Sequence, residues 1–182
     1  MEHHIRLPAK PEEIENLKVG DIVYVTGKIF TARDQAHKKM IDLQNSREKI
    51  PFDPAAMAVF HCGPLIKKAG GKYLAISAGP TTSARLTNIE PEFMRMFGTK
   101  MVIGKGGMGP PTIEAMKELG AVYLAYPGGV GALAAKSIKS VDAVYWLEEL
   151  GMPEAVWIFD VEEFGPMVVG IAGGLSIYLK SR

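Results

Sequence analysis

Residues 79–85, with the sequence GPTTSAR, combine side chains that bind carboxylates. The segment stands between a predicted strand and a predicted helix, where open α/β sheets bind ligands and where free backbone N–H groups attract anions. Thr81 and Thr82 add hydroxyl donors, and the planar guanidinium of Arg85 fits a carboxylate through two hydrogen bonds. The alternative is a capping threonine beside a solvated arginine. The doubled threonine with the arginine counts against this alternative, which stays open.

Residues 104–109, GKGGMG, form a second glycine-rich loop between a predicted strand and helix. Glycines let the backbone approach a ligand closely, and Lys105 places a positive charge in the loop. The pattern does not match the phosphate loop GxxxxGK[ST], and no acidic ribose anchor stands about 20 residues after a GxGxxG. An anion site and a tight turn with an exposed lysine both remain open.

Residues 31–39, TARDQAHKK, place Arg33 and His37 four positions apart, and therefore on one face of a predicted helix. An arginine that binds a carboxylate and a histidine that transfers a proton are chemically compatible. A solvated polar stripe would produce the same spacing. The spacing alone favours the stripe.

The only cysteine is Cys62, so an intrachain disulfide is excluded and a reducing compartment is expected. One thiolate also cannot hold an iron–sulfur cluster or a structural zinc ion alone. His61 and Cys62 are adjacent in a predicted strand and point to opposite faces, which argues against a joint metal site. We expect Cys62 to be a small buried apolar residue, and no metal site in this chain.

The formal net charge is +1, which argues against nucleic acid as a partner because duplex binding requires clustered lysines and arginines. No apolar run reaches the roughly 20 residues that span a bilayer. Residues 1–10 are polar and do not resemble a signal peptide. We therefore expect a cytoplasmic protein without membrane contact.

Apolar periodicity predicts an α/β chain in which parallel strands alternate with crossover helices. The earlier strands suggest a second, more antiparallel layer, and residues 1–182 are predicted to form one domain. The predicted strands are 21–30, 57–62, 73–78, 100–103, 121–125, 141–147, 156–161 and 167–171. The predicted helices are 32–43 (capped by Thr31), 83–97 (interrupted near Pro91), 110–119 and 128–136.

Taken in order, the motifs resemble those of the β-subunit, or C-terminal domain, of class I fumarases and L-tartrate dehydratases. These are iron–sulfur hydro-lyases. The resemblance extends from residue 19 to residue 166 and is carried by TARDQAHK, HCGP, GPTTSAR, GKGGMG, YPGGVGALAA, WLEELGMPEAVW and EFGPM. It implies a swivelling β/β/α domain of three layers around a mostly parallel central sheet.

The resemblance also implies a cofactor and a partner. In the family, three cysteines of the α-part hold a catalytic [4Fe–4S] cluster. Because this chain has only Cys62, the cluster is expected on a separate α-subunit, in a heterotetramer that forms through self-association. The expected reaction is the reversible hydration of fumarate to L-malate.

The resemblance assigns roles to six residues. It implies catalytic roles for His37, Thr81 and Lys105 and substrate binding by Arg33, Thr82 and Arg85. Thr81 is the candidate base, and His37 competes with it. The alternatives are an L-tartrate dehydratase β-subunit, a non-catalytic anion-binding module on the same fold, and a nucleotide-binding protein that uses GKGGMG.

Overall fold

A computed structural model describes residues 1–179. Its strands are β1 (Glu2–Arg6), β2 (Ile22–Thr31), β3 (Ala58–Phe60), β4 (Leu65–Ala69), β5 (Lys72–Ser77), β6 (Met101–Gly104), β7 (Val122–Ala125), β8 (Ile138–Tyr145), β9 (Val156–Ala172) and β10 (Leu175–Ser176). Its α-helices are α1 (Pro11–Glu15), α2 (Asp34–Asn45), α3 (Glu90–Phe97), α4 (Pro110–Leu119), α5 (Gly131–Lys136) and α6 (Leu147–Leu150). Short 3-10 segments cover Pro54–Ala56 and Ser83–Leu86.

The central sheet combines parallel and antiparallel strands. β2, β3, β6 and β7 pair in parallel in that order. The long strand β9 runs antiparallel to both β7 and β2, so these five strands close into a ring. β1 extends β2 in parallel, while β8 and β10 pair with β9. β4 and β5 form a separate antiparallel hairpin.

The two faces of the sheet are buried differently, since successive strand residues point to opposite sides. Phe60 packs inside the ring against Phe164, with ring centroids 5.3 Å apart. Its neighbour Val59 joins a second core beneath α2, α3 and α4. The mixed α/β class with a central sheet is therefore confirmed.

One prediction about the sheet is wrong: the strands expected at 156–161 and 167–171 are a single strand, β9. The Gly-Pro dipeptide between them suggested a turn. Instead, Phe164 pairs with Val25 of β2, and a register shift in the ladder accommodates the extra residues. Pairing along a whole neighbouring strand thus overrides the local turn signal.

Helix boundaries also differ from the predictions. Thr31 ends β2 and does not cap α2, because its hydroxyl donates to Ala155 O at 3.2 Å and accepts from Trp157 N at 3.0 Å. Arg33 occupies the N-cap position. The helix predicted over 83–97 splits into the 3-10 segment and α3, with Pro91 in the first turn of α3, where its missing N–H costs little. β1 and β4 were not predicted.

Candidate active site

Three loops, each of which follows a strand, meet around one open pocket. Arg33 follows β2, the GPTT segment follows β5, and Lys105 follows β6. The pocket has a volume of about 370 Å³ and is lined by Arg33, Gly63, Gly79, Pro80, Thr81, Thr82, Arg85 and Lys105. The structure thus brings together five of the six predicted site residues. The sixth, His37, does not line the pocket.

Backbone hydrogen bonds tie the threonine loop to the lysine loop. Lys105 N donates to Thr81 O at 3.3 Å, and Ser83 N donates to Lys105 O at 3.0 Å. Thr81 N donates to His61 O at 2.7 Å. The N–H groups of Thr81 and Ser83 are therefore already used within the protein, and these two are not free to attract an anion.

The Thr81 hydroxyl lies beside a positive charge. Arg85 Nη2 donates to Thr81 Oγ1 at 2.9 Å. A neighbouring cation favours the deprotonated form of an acidic group, so the arrangement helps Thr81 to give up its proton. Asp34 Oδ2 is 3.9 Å from Arg85 Nη2 and anchors the half-exposed guanidinium from outside the pocket.

Glu154 and Gly63 hold Arg33 in place. Glu154 Oε1 is 3.3 Å from Arg33 Nε, and both side chains are mostly buried. A Cβ on Gly63 would lie 2.7 Å from Arg33 Nη1, so only glycine lets the guanidinium lie there. This role of Glu154 was not predicted. Its motif, WLEELGMPEAVW, carries no chemistry that is visible without the fold.

His37 belongs to a buried His–Glu–His cluster made of His37, Glu90 and His61, all 0% exposed. Glu90 Oε2 is 3.0 Å from His61 Nε2 and 3.2 Å from His37 Nε2. His37 Nδ1 donates to Arg33 O at 2.9 Å. His37 therefore acts on the pocket through the backbone of Arg33, without reaching the pocket itself.

The cluster continues into the two loops. His61 Nδ1 is 2.9 Å from Ser83 Oγ, to which the Tyr123 hydroxyl donates at 3.0 Å. A Cβ on Gly104 would lie 1.9 Å from Ser83 Oγ. The first glycine of GKGGMG is therefore required by this hydrogen-bond chain.

The charges of the cluster balance. Burial acts to raise the pKa of Glu90, but the opposing effects of His61 and His37 are together stronger and lower it. Burial acts to lower the pKa of His37, but the Glu90 carboxylate outweighs burial and raises it. For His61 burial prevails and lowers the pKa. A carboxylate, an imidazolium and a neutral imidazole sum to zero charge, which is compatible with full burial.

Neither the pocket nor the cysteine offers a site for an iron–sulfur cluster. Such a cluster needs several thiolates, and the only cysteine, Cys62, is 0% exposed within the inner core. Burial raises the pKa of its thiol, so it stays protonated. Among residues 1–179, the metal-capable group is His37, His61 and Glu90, whose ligand atoms lie within 4.8 Å of one another. The expectation that Cys62 is a small buried residue is confirmed.

Comparison with known proteins places this fold and pocket in a family. The model of the fumarase C-terminus family matches residues 2–181. The chain belongs to the fumarase C-terminus family. The resemblance inferred from the motifs is thereby confirmed. Across the described residues, no helix of this family member is long and apolar enough to cross a membrane.

Relatives of this family member carry two kinds of name. "Putative L(+)-tartrate dehydratase subunit beta" of Methanocaldococcus jannaschii is 49% identical over 168 residues, covering 92% of this chain and 86% of the relative. L(+)-tartrate dehydratase subunit beta of Escherichia coli K12 is 42% identical over 171 residues, covering 94% and 83%. "Putative fumarate hydratase class I" of Geobacillus stearothermophilus is 39% identical over 175 residues, covering 96% of this chain and 33% of the relative. Both kinds of name denote hydro-lyases.

Proposed function

We propose that this chain is the β-subunit of a hydro-lyase that reversibly hydrates fumarate to L-malate. The observation that carries the proposal is the cationic pocket, which Arg33, Arg85 and Lys105 line together with Thr81. Fumarate and malate carry two carboxylates. Two guanidinium groups and one ammonium group can pair with both of them, and the Thr81 hydroxyl, which accepts from Arg85, is the group that would move the proton.

Each lining residue has a role in this proposal. Arg33 and Arg85 bind carboxylates through two hydrogen bonds each, and Thr82 orients the substrate. Lys105 stabilises the negative charge that develops on a carboxylate when the neighbouring C–H bond breaks, and losing such a donor typically costs about 10²–10³ in rate. Thr81, as the alkoxide that the neighbouring Arg85 cation stabilises, takes the proton from carbon during dehydration and becomes the hydroxyl, which returns that proton during hydration. His37, being buried, is assigned a positioning role.

The rest of the site is proposed to come from a second chain. The pocket is open, and the relatives from M. jannaschii and E. coli are named as beta subunits. The [4Fe–4S] cluster that the resemblance implies would be bound by an α-subunit, because the buried thiol of Cys62 does not fit it. We further propose that residues 1–182 form one domain of the swivelling β/β/α type, in a cytoplasmic heterotetramer that forms through self-association.

L(+)-tartrate dehydration is the second candidate reaction. The relatives with the tartrate name are 49% and 42% identical, against 39% for the relative with the fumarate name. L-malate and L(+)-tartrate, the two molecules that would be dehydrated, differ by one hydroxyl group. Assays of the complex with fumarate, L-malate, L(+)-tartrate and meso-tartrate decide between the two reactions. If kcat/KM is highest for L(+)-tartrate, then L(+)-tartrate and not fumarate is the substrate. If the complex binds these dicarboxylates but turns over none of them, the chain is a non-catalytic module.

The role of Thr81 is tested with a matched pair of variants. Thr81→Ala removes the hydroxyl and is expected to abolish turnover while association with the partner is unchanged. Thr81→Ser keeps the hydroxyl and is expected to retain most of the activity. Near wild-type turnover by Thr81→Ala would rule out Thr81 as the proton-transfer group.

A further inference from the structure

Behind the pocket, the buried His–Glu–His cluster has polar groups that the proposed reaction does not use. Glu90 stands at the first residue of α3, His37 projects from α2, and His61 follows β3. His61 Nε2–H points directly at Glu90 Oε2, at 3.0 Å. A carboxylate without compensating partners would be strongly destabilised in such a dry interior. The three residues must therefore share their charges and protons.

We propose that the buried His–Glu–His cluster is a positioning unit, an imidazolium–carboxylate–imidazole chain that fixes Arg33 at one end and the threonine and lysine loops at the other. All residues of the cluster come from this chain, so its geometry does not depend on the partner subunit. Only its effect on turnover rests on the proposed function.

The Arg33 end is held by two hydrogen bonds to one carbonyl. His37 Nδ1 donates to Arg33 O at 2.9 Å, and the backbone N–H of His37 donates to the same oxygen at 3.0 Å. Arg33 is the N-cap of α2, with extended φ and ψ of −116° and −164°. Because its carbonyl is fixed, the direction in which its side chain leaves the backbone is fixed as well.

The loop end is held by both the backbone and the ring of His61. The His61 carbonyl accepts from Thr81 N at 2.7 Å, and His61 Nδ1 is 2.9 Å from Ser83 Oγ. Ser83 N in turn donates to Lys105 O at 3.0 Å. A rotation of the His61 ring would therefore disturb the loops that carry Thr81 and Lys105.

The protons can be placed in one consistent order. Tyr123 donates to Ser83 Oγ, so the Ser83 hydroxyl can donate to His61 Nδ1. His61 then carries its own proton on Nε2 and donates it to Glu90. His37 donates from Nδ1 to Arg33 O, its Nε2 lies 3.2 Å from Glu90 Oε2 as an ion pair outside hydrogen-bond geometry, and we assign it as the imidazolium. This order agrees with the raised pKa of His37 and the lowered pKa of His61.

The sign of the pH dependence follows from these shifts. Since the pKa of His37 is raised above 6.5 in the folded chain, its ion pair is complete below 6.5 and is lost as pH rises through the raised value. Since the pKa of Glu90 is lowered, its contribution is lost only as pH falls through that lowered value. The charged and titratable groups that face His37 are Glu90 from α3, His61 after β3, and Asp34 from its own helix.

The first experiment is a pH titration of the ¹⁵N-histidine NMR signals of the full chain and of Glu90→Gln, with Glu92→Gln as the control on the exposed side of α3. We expect an imidazolium at His37 at pH 7, an Nε2–H tautomer at His61, and no change in Glu92→Gln. In Glu90→Gln the His37 pKa should fall, because the two largest effects that oppose burial are lost and only the smaller ones of Arg33 O and Asp34 remain. A neutral His37 in the unmodified chain, or a His37 titration that Glu90→Gln does not change, would overturn the proposal. Elemental analysis gives a further test. Stoichiometric zinc that is bound to the unmodified chain and lost in Glu90→Gln would also overturn the proposal.

The second experiment measures kcat/KM in the complex with the α-subunit. Glu90→Gln is expected to lower it about 100-fold, the effect of displacing a site by about 1 Å, and to move its alkaline decline to lower pH. Ser83→Ala removes the hydroxyl that joins His61 to Tyr123 and leaves the pair of His37 and Glu90 intact, so it should lower kcat/KM while the His37 titration stays in place. Unchanged kcat/KM in both variants would refute positioning. A complex inactive on every dicarboxylate would refute the proposed function, and NMR would still decide the state of the cluster.

Discussion

Adding one methyl group at Gly63 tests whether the position of Arg33 controls the pocket. A Cβ there would lie 2.7 Å from Arg33 Nη1 and 2.9 Å from the Pro153 carbonyl oxygen. Optimal non-bonded contacts are about 3.5–4.0 Å, so the guanidinium must move by roughly 1 Å. The Pro153 carbonyl is backbone and limits movement of the loop itself. Overpacking of this kind typically costs about 1–3 kcal/mol of stability.

Gly63→Ala is therefore expected to lower kcat/KM of the complex about 100-fold, because a displacement of about 1 Å in a site has that effect. The variant should still fold and bind its partner, which thermal denaturation and gel filtration can verify. The control is Gly128→Ala, whose Cβ would meet only Lys105 Cδ, at 3.7 Å. It should stay within about twofold of wild type, as surface changes usually do. Equal kcat/KM for Gly63→Ala and Gly128→Ala would refute the reasoning.

Three further outcomes follow from the contacts of single residues. Glu154→Gln removes the charge that pairs with Arg33, so KM should rise about tenfold, which corresponds to about 1.4 kcal/mol; an unchanged KM contradicts this role. Gly104→Ala places a Cβ 1.9 Å from Ser83 Oγ and should lower the free energy of unfolding by about 1–3 kcal/mol; chemical denaturation that finds no loss would contradict the close packing. Cys62→Ala should leave the iron content of the complex unchanged, because this buried thiol binds no metal; elemental analysis that finds less iron would contradict that.

The residues that line the pocket could be predicted from the sequence because their types are unusual and their motifs are contiguous. A doubled threonine followed by an arginine, and a lysine between glycines, have few structural explanations. Arg33 and Lys105 follow β2 and β6, the two strands that flank β3, and the threonine loop follows the separate hairpin. Residue types marked Thr81 and Lys105 as candidates, the family resemblance added Arg33, and the fold brings the three to one pocket.

The supporting residues could not be predicted because their partners are distant along the chain. The spacing of Arg33 and His37 indicated one helical face, yet Arg33 caps the helix, while the His37 ring packs 4.3 Å from the ring of Phe93. Whether a helical face is buried depends on what covers it. Glu90 pairs with a histidine 29 residues away, and Glu154 with an arginine in another loop. Long-range pairs of this kind leave no periodic signal.

The same reason explains the error in the sheet. Glu163, with a φ of 48°, and the following Gly-Pro dipeptide look like a turn when considered locally. The backbone remains paired because β2 runs beside β9 from Ile22 to Phe30. A long antiparallel neighbour can absorb a bulge that would otherwise end a strand.

The most direct test of the central claim, that this chain supplies half of an active site, is anaerobic reconstitution. Hydration of fumarate and dehydration of L-malate and L(+)-tartrate are measured for this chain alone, for a cysteine-bearing α-subunit alone, and for the two together. We predict turnover only in the mixture. This turnover should be lost when Thr81→Ala replaces the unmodified chain. Turnover by either chain alone, or no association between the two, would contradict the claim.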